Sequence, residues 1–179
     1  MSKVLLHICC ANCATVCINR LREEKFEVFG LFYNPNIQPE QEYSKRKQDI
    51  GLITEKFDFP SIEVRYDPEK WFDVIRGHEA DKEGNTRCEL CFKMRLEKTY
   101  EVALREGFDF FSTTLTISPH KNSEVINKIG NQVGKDKFLR KNFKKERGFE
   151  ESIKISKQMS FYRQHYCGCI FSKEAANCC

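Results

Sequence analysis

Residues 4–25 read VLLHICCANCATVCINRLREEK. Val4 to Cys9 is a short apolar run rich in strand-forming residues, and from Thr15 to Lys25 apolar residues recur at helical spacing. Ala11 to Cys13 forms the turn between them. The stretch is a strand, a loop and a helix, with cysteines gathered where the strand ends. Outward from it the alternation continues. Glu27 to Tyr33 forms a second strand, stopped by Asn34, Pro35 and Asn36, and Gln38 to Phe57 a second helix. Ser61 to Tyr66 alternates as a third strand, after which Asp67 and Pro68 have the form of an N-cap and a first helical residue. Gly77 to Arg87 (GHEADKEGNTR) has loop composition, and Cys88 to Glu106 is predicted helical. Phe108 to Thr116 is the fourth strand, broken by Ser118, Pro119 and His120, and Ser123 to Val133 the following helix. Ser160 to Cys179 carries no readable pattern.

Strands alternating with helices imply parallel pairing through right-handed crossovers, hence an α/β fold with a three-layer, doubly wound parallel sheet. Ligands of such sheets bind beyond the carboxyl ends of the strands, where the strand order switches. Cys9 and Cys10 lie at one such end, and Asn34 to Asn36, Asp67 and Thr116 to His120 at three others. These polar residues are expected to converge on one crevice.

The 179 residues suffice for one domain with a substantial core, so 1–179 is read as a single α/β domain ending in a basic, cysteine-containing segment, 135–179. A 40% apolar and 31% charged composition excludes disordered and collagen-like classes. Within the net charge of +4, Lys135 to Lys157 holds nine Lys/Arg against four Asp/Glu, a surplus of five, so the remainder sums to −1. That run is either a solvated helix face or a surface for an anionic partner. Ten cysteines are compatible with a disulfide framework or with metal and redox chemistry. His7 and Asn12 interrupt the apolar start and no cleavage site follows, which argues against a signal peptide. No run approaches eighteen apolar residues, so no membrane segment is expected. The chain reads as cytoplasmic, where thiols stay reduced and clustered cysteines mean metal or redox chemistry.

Cys9, Cys10 and Cys13 form a CCxxC group at a helix start, where backbone N–H groups and the helix dipole favour thiolate. Cys88 and Cys91 have the CxxC spacing that lets two thiolates reach one zinc ion or one cluster. Buried packing, zinc and iron-sulfur remain the alternatives, and two cysteine groups favour iron-sulfur. Cys167 and Cys169 flank a glycine, as a strained two-electron disulfide or a pair of further metal ligands would. Cys17, Cys178 and Cys179 read as incidental. His7 reads as a core residue, and His120 and His165 as better functional candidates. The aromatic FYRQHYCGC stretch is either core or a surface that stacks on a base and contacts phosphate.

Taken together, LLHICCANC, LFYNPNIQPEQEYSKR, YDPEKWFD, RCELCFKMRLEKT, STTLTISPHKN and FYRQHYCGC resemble the signature segments of the cobalamin-independent epoxyqueuosine reductase family over nearly the whole chain. Asn12 stands where that pattern has proline, a departure expected to affect only loop stiffness. The layout also resembles the nucleotide α-hydrolase (HUP, PP-loop-like) superfamily, with cysteines in place of its phosphate loop, so no ATP site is expected. The resemblance implies an oxidoreductase of tRNA queuosine biosynthesis. It would reduce the epoxide of epoxyqueuosine in tRNA to the alkene of queuosine, with an external electron donor and without cobalamin. It implies Cys9, Cys10, Cys88 and Cys91 as [4Fe-4S] ligands and Cys167 with Cys169 as the redox-active pair. Neighbouring residues in extended backbone face opposite ways, so Cys9 and Cys10 are suited to two metal centres, and Cys13 is left over. A second, mononuclear iron beside the cluster is therefore expected as the Lewis acid that takes the epoxide oxygen. Asp67, Tyr33 and His120 are the candidate proton donors. The rivals are a cluster-free thiol-disulfide oxidoreductase and an iron-sulfur or zinc thiol protein that binds RNA without this turnover.

Overall fold

The structure, a computed structural model, describes residues 1–177, so Cys178 and Cys179 and their expected incidental role lie outside the described residues. Strands β1 (Lys3–His7), β2 (Glu27–Phe32), β3 (Ser61–Glu63) and β4 (Phe110–Thr113) form one parallel sheet in the order β3-β2-β1-β4. Val4 pairs with Val28 on one side and with Phe110 on the other. Val4, Leu5 and Leu6 are fully buried, which explains why the central strand is apolar without alternation.

Helices cover both faces. Helix α1 (Ala11–Glu23), α2 (Glu40–Lys56) and α6 (Gly148–Gln158) share one core with Val4, Leu6 and Ile8. Helix α4 (Thr86–Arg105) and α5 (Ser123–Gly134) share the other with Leu5, Leu31 and Phe111. Two short helices, α3 (Pro68–Val74) and α7 (Ile170–Asn177), complete the described elements. The expected three-layer, doubly wound parallel sheet is observed, with the switch in strand order at β1, between β2 and β4.

Four boundaries differ from the sequence expectation. Helix α1 starts at Ala11 rather than Thr15, with Cys10 as its extended N-cap, so no loop separates strand from helix beyond Ile8 to Cys10. Small residues hid this turn, and tertiary bonds fix it: Asn34 Nδ2 donates to Ile8 O at 2.8 Å and Cys9 N donates to Thr114 Oγ1 at 3.3 Å. Strand β4 ends at Thr113, whose hydroxyl accepts from Leu115 N at 3.2 Å and starts a 3₁₀ turn, Thr114–Ile117. The edge strand β3 has three residues, paired with β2 alone. Helix α4 begins at Thr86 rather than Cys88, which places Cys88 and Cys91 one turn apart on one helical face. The 77–87 loop is anchored by buried Arg87, whose Nη1 donates to Glu79 O at 2.7 Å and whose guanidinium lies 5.0 Å from the Phe171 ring centre. The unread C-terminal stretch holds α7, and the basic run is a 3₁₀ turn, a bend and α6.

Candidate functional site

Three thiols meet at the carboxyl end of the central strand. The Sγ atoms of Cys9, Cys10 and Cys13 all lie within 4.8 Å of one another, and those of Cys9 and Cys10 are 3.8 Å apart. Cys9 leaves β1, Cys10 caps α1 and Cys13 occupies its first turn, so strand end and helix start converge three sulfurs from five consecutive residues. Hydrogen bonds donated by Cys10 and then by Cys13 hold the Cys9 thiol well below its ordinary range against the cost of burial. Cys13 is pushed well above it by donating to Cys10 and Cys9. At Cys10 the bond from Cys13 favours ionisation, but its own bond to Cys9 and its burial prevail and push it up to about 12. The shifts favour the anion at Cys9 over Cys10 and Cys13, and three sulfurs together are a soft donor set suited to iron, zinc or an iron-sulfur centre.

A second thiol group lies on α4. Cys88 and Cys91 stand one turn apart on α4. Cys91 packs with Cys169, Trp71 and Ile75, and Cys88 packs at the edge of the core that contains Cys9 and Cys10. Burial pushes Cys88 up to about 11, and the nearby Cys167 adds to the shift. Cys167 and Cys169 are free thiols. Gly168 between them has φ +143, and a Cβ there would approach Ile37 Cγ1 to 3.1 Å and Arg46 Nη1 to 3.3 Å. Arg46 fixes this turn. It is 2% exposed, pairs with Glu42 at 2.8 Å and donates to Cys167 O at 3.0 Å and Tyr166 O at 3.1 Å.

A cavity of about 640 Å³ opens over these groups. Cys9, Cys13 and Cys167 line it with Arg46, Arg95, His120, Lys121, His165 and Tyr166. Burial works against the Lys121 ammonium, but Cys167, Cys9 and Cys13 outweigh it and hold its pKa above the usual lysine range. A groove of about 710 Å³ between α4 and α5 holds no cysteine.

Of the expected site residues, Cys9, Cys13, Cys167 and His120 line the cavity and Cys10 completes the triad, whereas Cys88, Cys91 and Cys169 are not among its lining residues and Cys91 and Cys169 pack in a separate cluster with Trp71 and Ile75. Cys13, without a role in the four-ligand set, belongs to the compact triad. Asp67 and Tyr33 are not brought there: they line another groove of about 360 Å³ with Arg65, Lys70 and Glu97. Burial, then Asp67, pushes Tyr33 up to about 12. His7 is a core residue, as expected. It is fully buried, with Nε2 donating to Tyr33 O at 3.1 Å and Nδ1 3.0 Å from Thr113 Oγ1. Burial and then Arg95 lower its pKa to about 4. In the aromatic segment Phe161 is core, while the hydroxyls of Tyr162 and Tyr166 donate to Glu42 Oε2 and Gln38 O.

Sequence reasoning missed Arg95, Lys121 and Arg46. Arg95 continues the helical face of Cys88 and Cys91 at the next turn, and Lys121 follows His120 directly, so both were marked by spacing.

The family profile described as "Epoxyqueuosine reductase QueH" matches residues 4–175. A protein of that name from Thermotoga maritima is 39% identical over 181 aligned residues, covering 96% of this chain and 91% of its own. The Haemophilus influenzae protein of the same name is 38% identical, covering 98% and 74%, and the Streptococcus pyogenes one 37%, covering 94% and 69%. Among solved structures, the U34-tRNA thiolase NcsA from Methanococcus maripaludis with its [4Fe-4S] cluster superposes with a TM-score of 0.55 at 11% identity, over 99% of this chain and 65% of that one. That likeness concerns the fold.

Proposed function

The chain belongs to the epoxyqueuosine reductase QueH family, and we propose that the crevice over Cys9 is where it reduces the epoxide of epoxyqueuosine in tRNA. The reaction breaks both carbon–oxygen bonds of the epoxide, forms the alkene and releases oxygen as water. It consumes two electrons and two protons. The observation that carries this placement is the buried triad of Cys9, Cys10 and Cys13 at the switch point of the sheet, open to a cavity of nucleoside size.

The donor set fits an iron-sulfur centre: soft sulfurs, one already favoured as thiolate, with cationic side chains beside them. Cys9, Cys10, Cys88 and Cys91 would hold a [4Fe-4S] cluster, with a second, lone iron beside it drawing on the same triad of thiols. When bound, the cluster supplies electrons singly and the lone iron supplies Lewis acidity, a division that needs no cobalamin. The chain's own groups do the rest. His165 and Tyr166 form a wall against which a flipped base can stack. His120, which lines the crevice where Asp67 and Tyr33 do not, donates a proton to the departing oxygen. Cys167 and Cys169, oxidised together to a disulfide, release two electrons and two protons, matching the demand of the reaction; an external donor then restores the dithiol. Exposed Lys145 and Arg147, at the turn into α6, grip tRNA phosphates. No helix among the described residues is long and apolar enough to cross a membrane, and we place the enzyme in the cytoplasm with its tRNA.

The test is anaerobic reconstitution, with iron and sulfide counted against protein and turnover followed on tRNA carrying epoxyqueuosine. Protein with both iron and sulfide that converts the epoxide supports the reading. Stoichiometric zinc without sulfide, or a loaded protein that binds this tRNA and never converts it, overturns it.

A further inference from the structure

Among the described residues, Arg95 is a buried cation without a counter-ion. It is 2% exposed, and its Nη2 atom has no hydrogen-bond partner. Its Nε donates to Cys91 O at 3.2 Å, and its guanidinium carbon lies 5.7 Å from the Phe92 ring centre. Among the described residues no carboxylate stands within ion-pair distance of it. Arg46, equally buried on the opposite wall, shows the contrast: it has Glu42 at 2.8 Å and two backbone carbonyls. Lys121 lines the same cavity as Arg95 and also lacks a carboxylate partner among the described residues.

An unpaired buried charge is costly, and a fold retains one where something else supplies the opposite charge. The one carboxylate among the described residues lining the cavity, Glu83, makes no ion pair with either cation; the other groups there able to become anionic are the thiols Cys9, Cys13 and Cys167, with Cys91 on the same helix as Arg95. Thiols become anionic on metal ligation, and the resulting centre carries net negative charge that grows by one with each electron taken up. An RNA phosphate is less well matched, because the free Nη2 is closed to solvent.

We propose that Arg95, seconded by Lys121, is the fixed counter-charge of the metal–thiolate centre, and that it raises the centre's reduction potential by favouring the electron-rich state. This rests on the iron-sulfur reading above. Arg95 is a positioning residue for charge: it touches no reacting atom and acts through the thiolates. In a low-dielectric site, an added electron next to a fixed cation is stabilised far more than it would be in water.

The measurement is the midpoint potential of the anaerobic, iron-loaded protein, followed by visible and paramagnetic resonance spectroscopy during redox titration, with iron content and tRNA affinity in parallel. Arg95→Gln should hold its iron less tightly and shift the potential down by a tenfold or greater change in the reduction equilibrium, about 59 mV for one electron. Arg95→Lys, which keeps the charge, should stay near the wild-type potential. Lys121→Gln should shift it down by less. Full iron in Arg95→Gln with an unmoved potential overturns the proposal, as does a loss of tRNA affinity without a change in potential. If Arg95→Gln assembles no centre, the half-buried Lys121 decides: a lowered potential in Lys121→Gln upholds the proposal and an unchanged one refutes it. Absence of iron and sulfide from the wild-type protein would instead refute the cofactor reading, before any variant is compared.

Discussion

Gln164 Nε2 donates a hydrogen bond to Cys10 Sγ at 3.2 Å, tying the segment before the CGC turn to the thiol triad across 154 positions of sequence. The tie is held by Asn12, whose Nδ2 donates to Gln164 Oε1 at 3.0 Å and to Tyr162 O at 2.7 Å, while Ser156 Oγ donates to Asn12 Oδ1. Asn12 therefore does more than alter loop stiffness: it fastens α1 to the C-terminal segment that roofs the crevice.

Asn12→Ala leaves several half-buried polar groups without partners and should lower unfolding stability by about 1–3 kcal/mol. Gln164→Leu should cost less stability. Both should raise the rate at which the Cys10 thiol reacts with an alkylating reagent in metal-free protein. Unchanged denaturation midpoints and thiol reactivity in Asn12→Ala would show that the bonds hold nothing.

The buried, neutral His7 should make the fold acid-sensitive. Its pKa falls from 6.5 to about 4 through burial and the Arg95 charge. Between those values the unfolded chain binds a proton that the native state refuses, so stability is fully present above pH ~6.5 and is lost as pH falls towards 4, by up to about 3 kcal/mol. Urea midpoints measured from pH 7 to 4 should drop, and His7→Gln should flatten the drop. A parallel decline in the variant would put the sensitivity elsewhere.

Among the cysteines, position should separate ligands from packing. Cys9→Ser and Cys10→Ser should lose most of the iron and all turnover. Cys17 lies fully buried in the α1 core, where its Sγ donates to Cys13 O at 3.0 Å. Cys17→Ala should keep the iron and cost about 1 kcal/mol of stability. Iron loss in Cys17→Ala as complete as in Cys9→Ser would break this distinction.

The basic segment should not act uniformly on tRNA. Lys141 is paired with Glu24, and Lys144 Nζ donates to Lys121 O at 2.6 Å, whereas Lys145 and Arg147 are exposed. Charge reversal at Lys145 and Arg147 should weaken binding at low salt and reduce the salt slope by about 0.9 for each phosphate no longer neutralised, on the duplex scale. Charge reversal at Lys141 should change the slope little. Equal effects at both places would mean that the pairing of Lys141 with Glu24 does not persist in solution.

The alternation of strands and helices, the core strand, the cysteine groups and the family signature were all legible in the sequence, because each is written in residues within a few positions of one another. Periodicity records which side of an element is buried, and motif order records ancestry. Helix starts were less legible: Ala11 and Thr86 lack the large apolar side chains that mark a period, and hydrogen bonds from the distant Asn34 and Thr114 set the first while bonds from Arg87 to the preceding loop set the second. The membership of the site was decided by tertiary structure. Asp67 and Cys9 both follow strands, yet β3 is the sheet edge and β1 its centre, so one faces an outer groove and the other the switch-point crevice. Arg95 and Lys121 meet the thiols only because α4 crosses over to the far side of β1 and β4 pairs beside it. A linear sequence carries no record of strand order, and strand order determines which distant charges share a low-dielectric space.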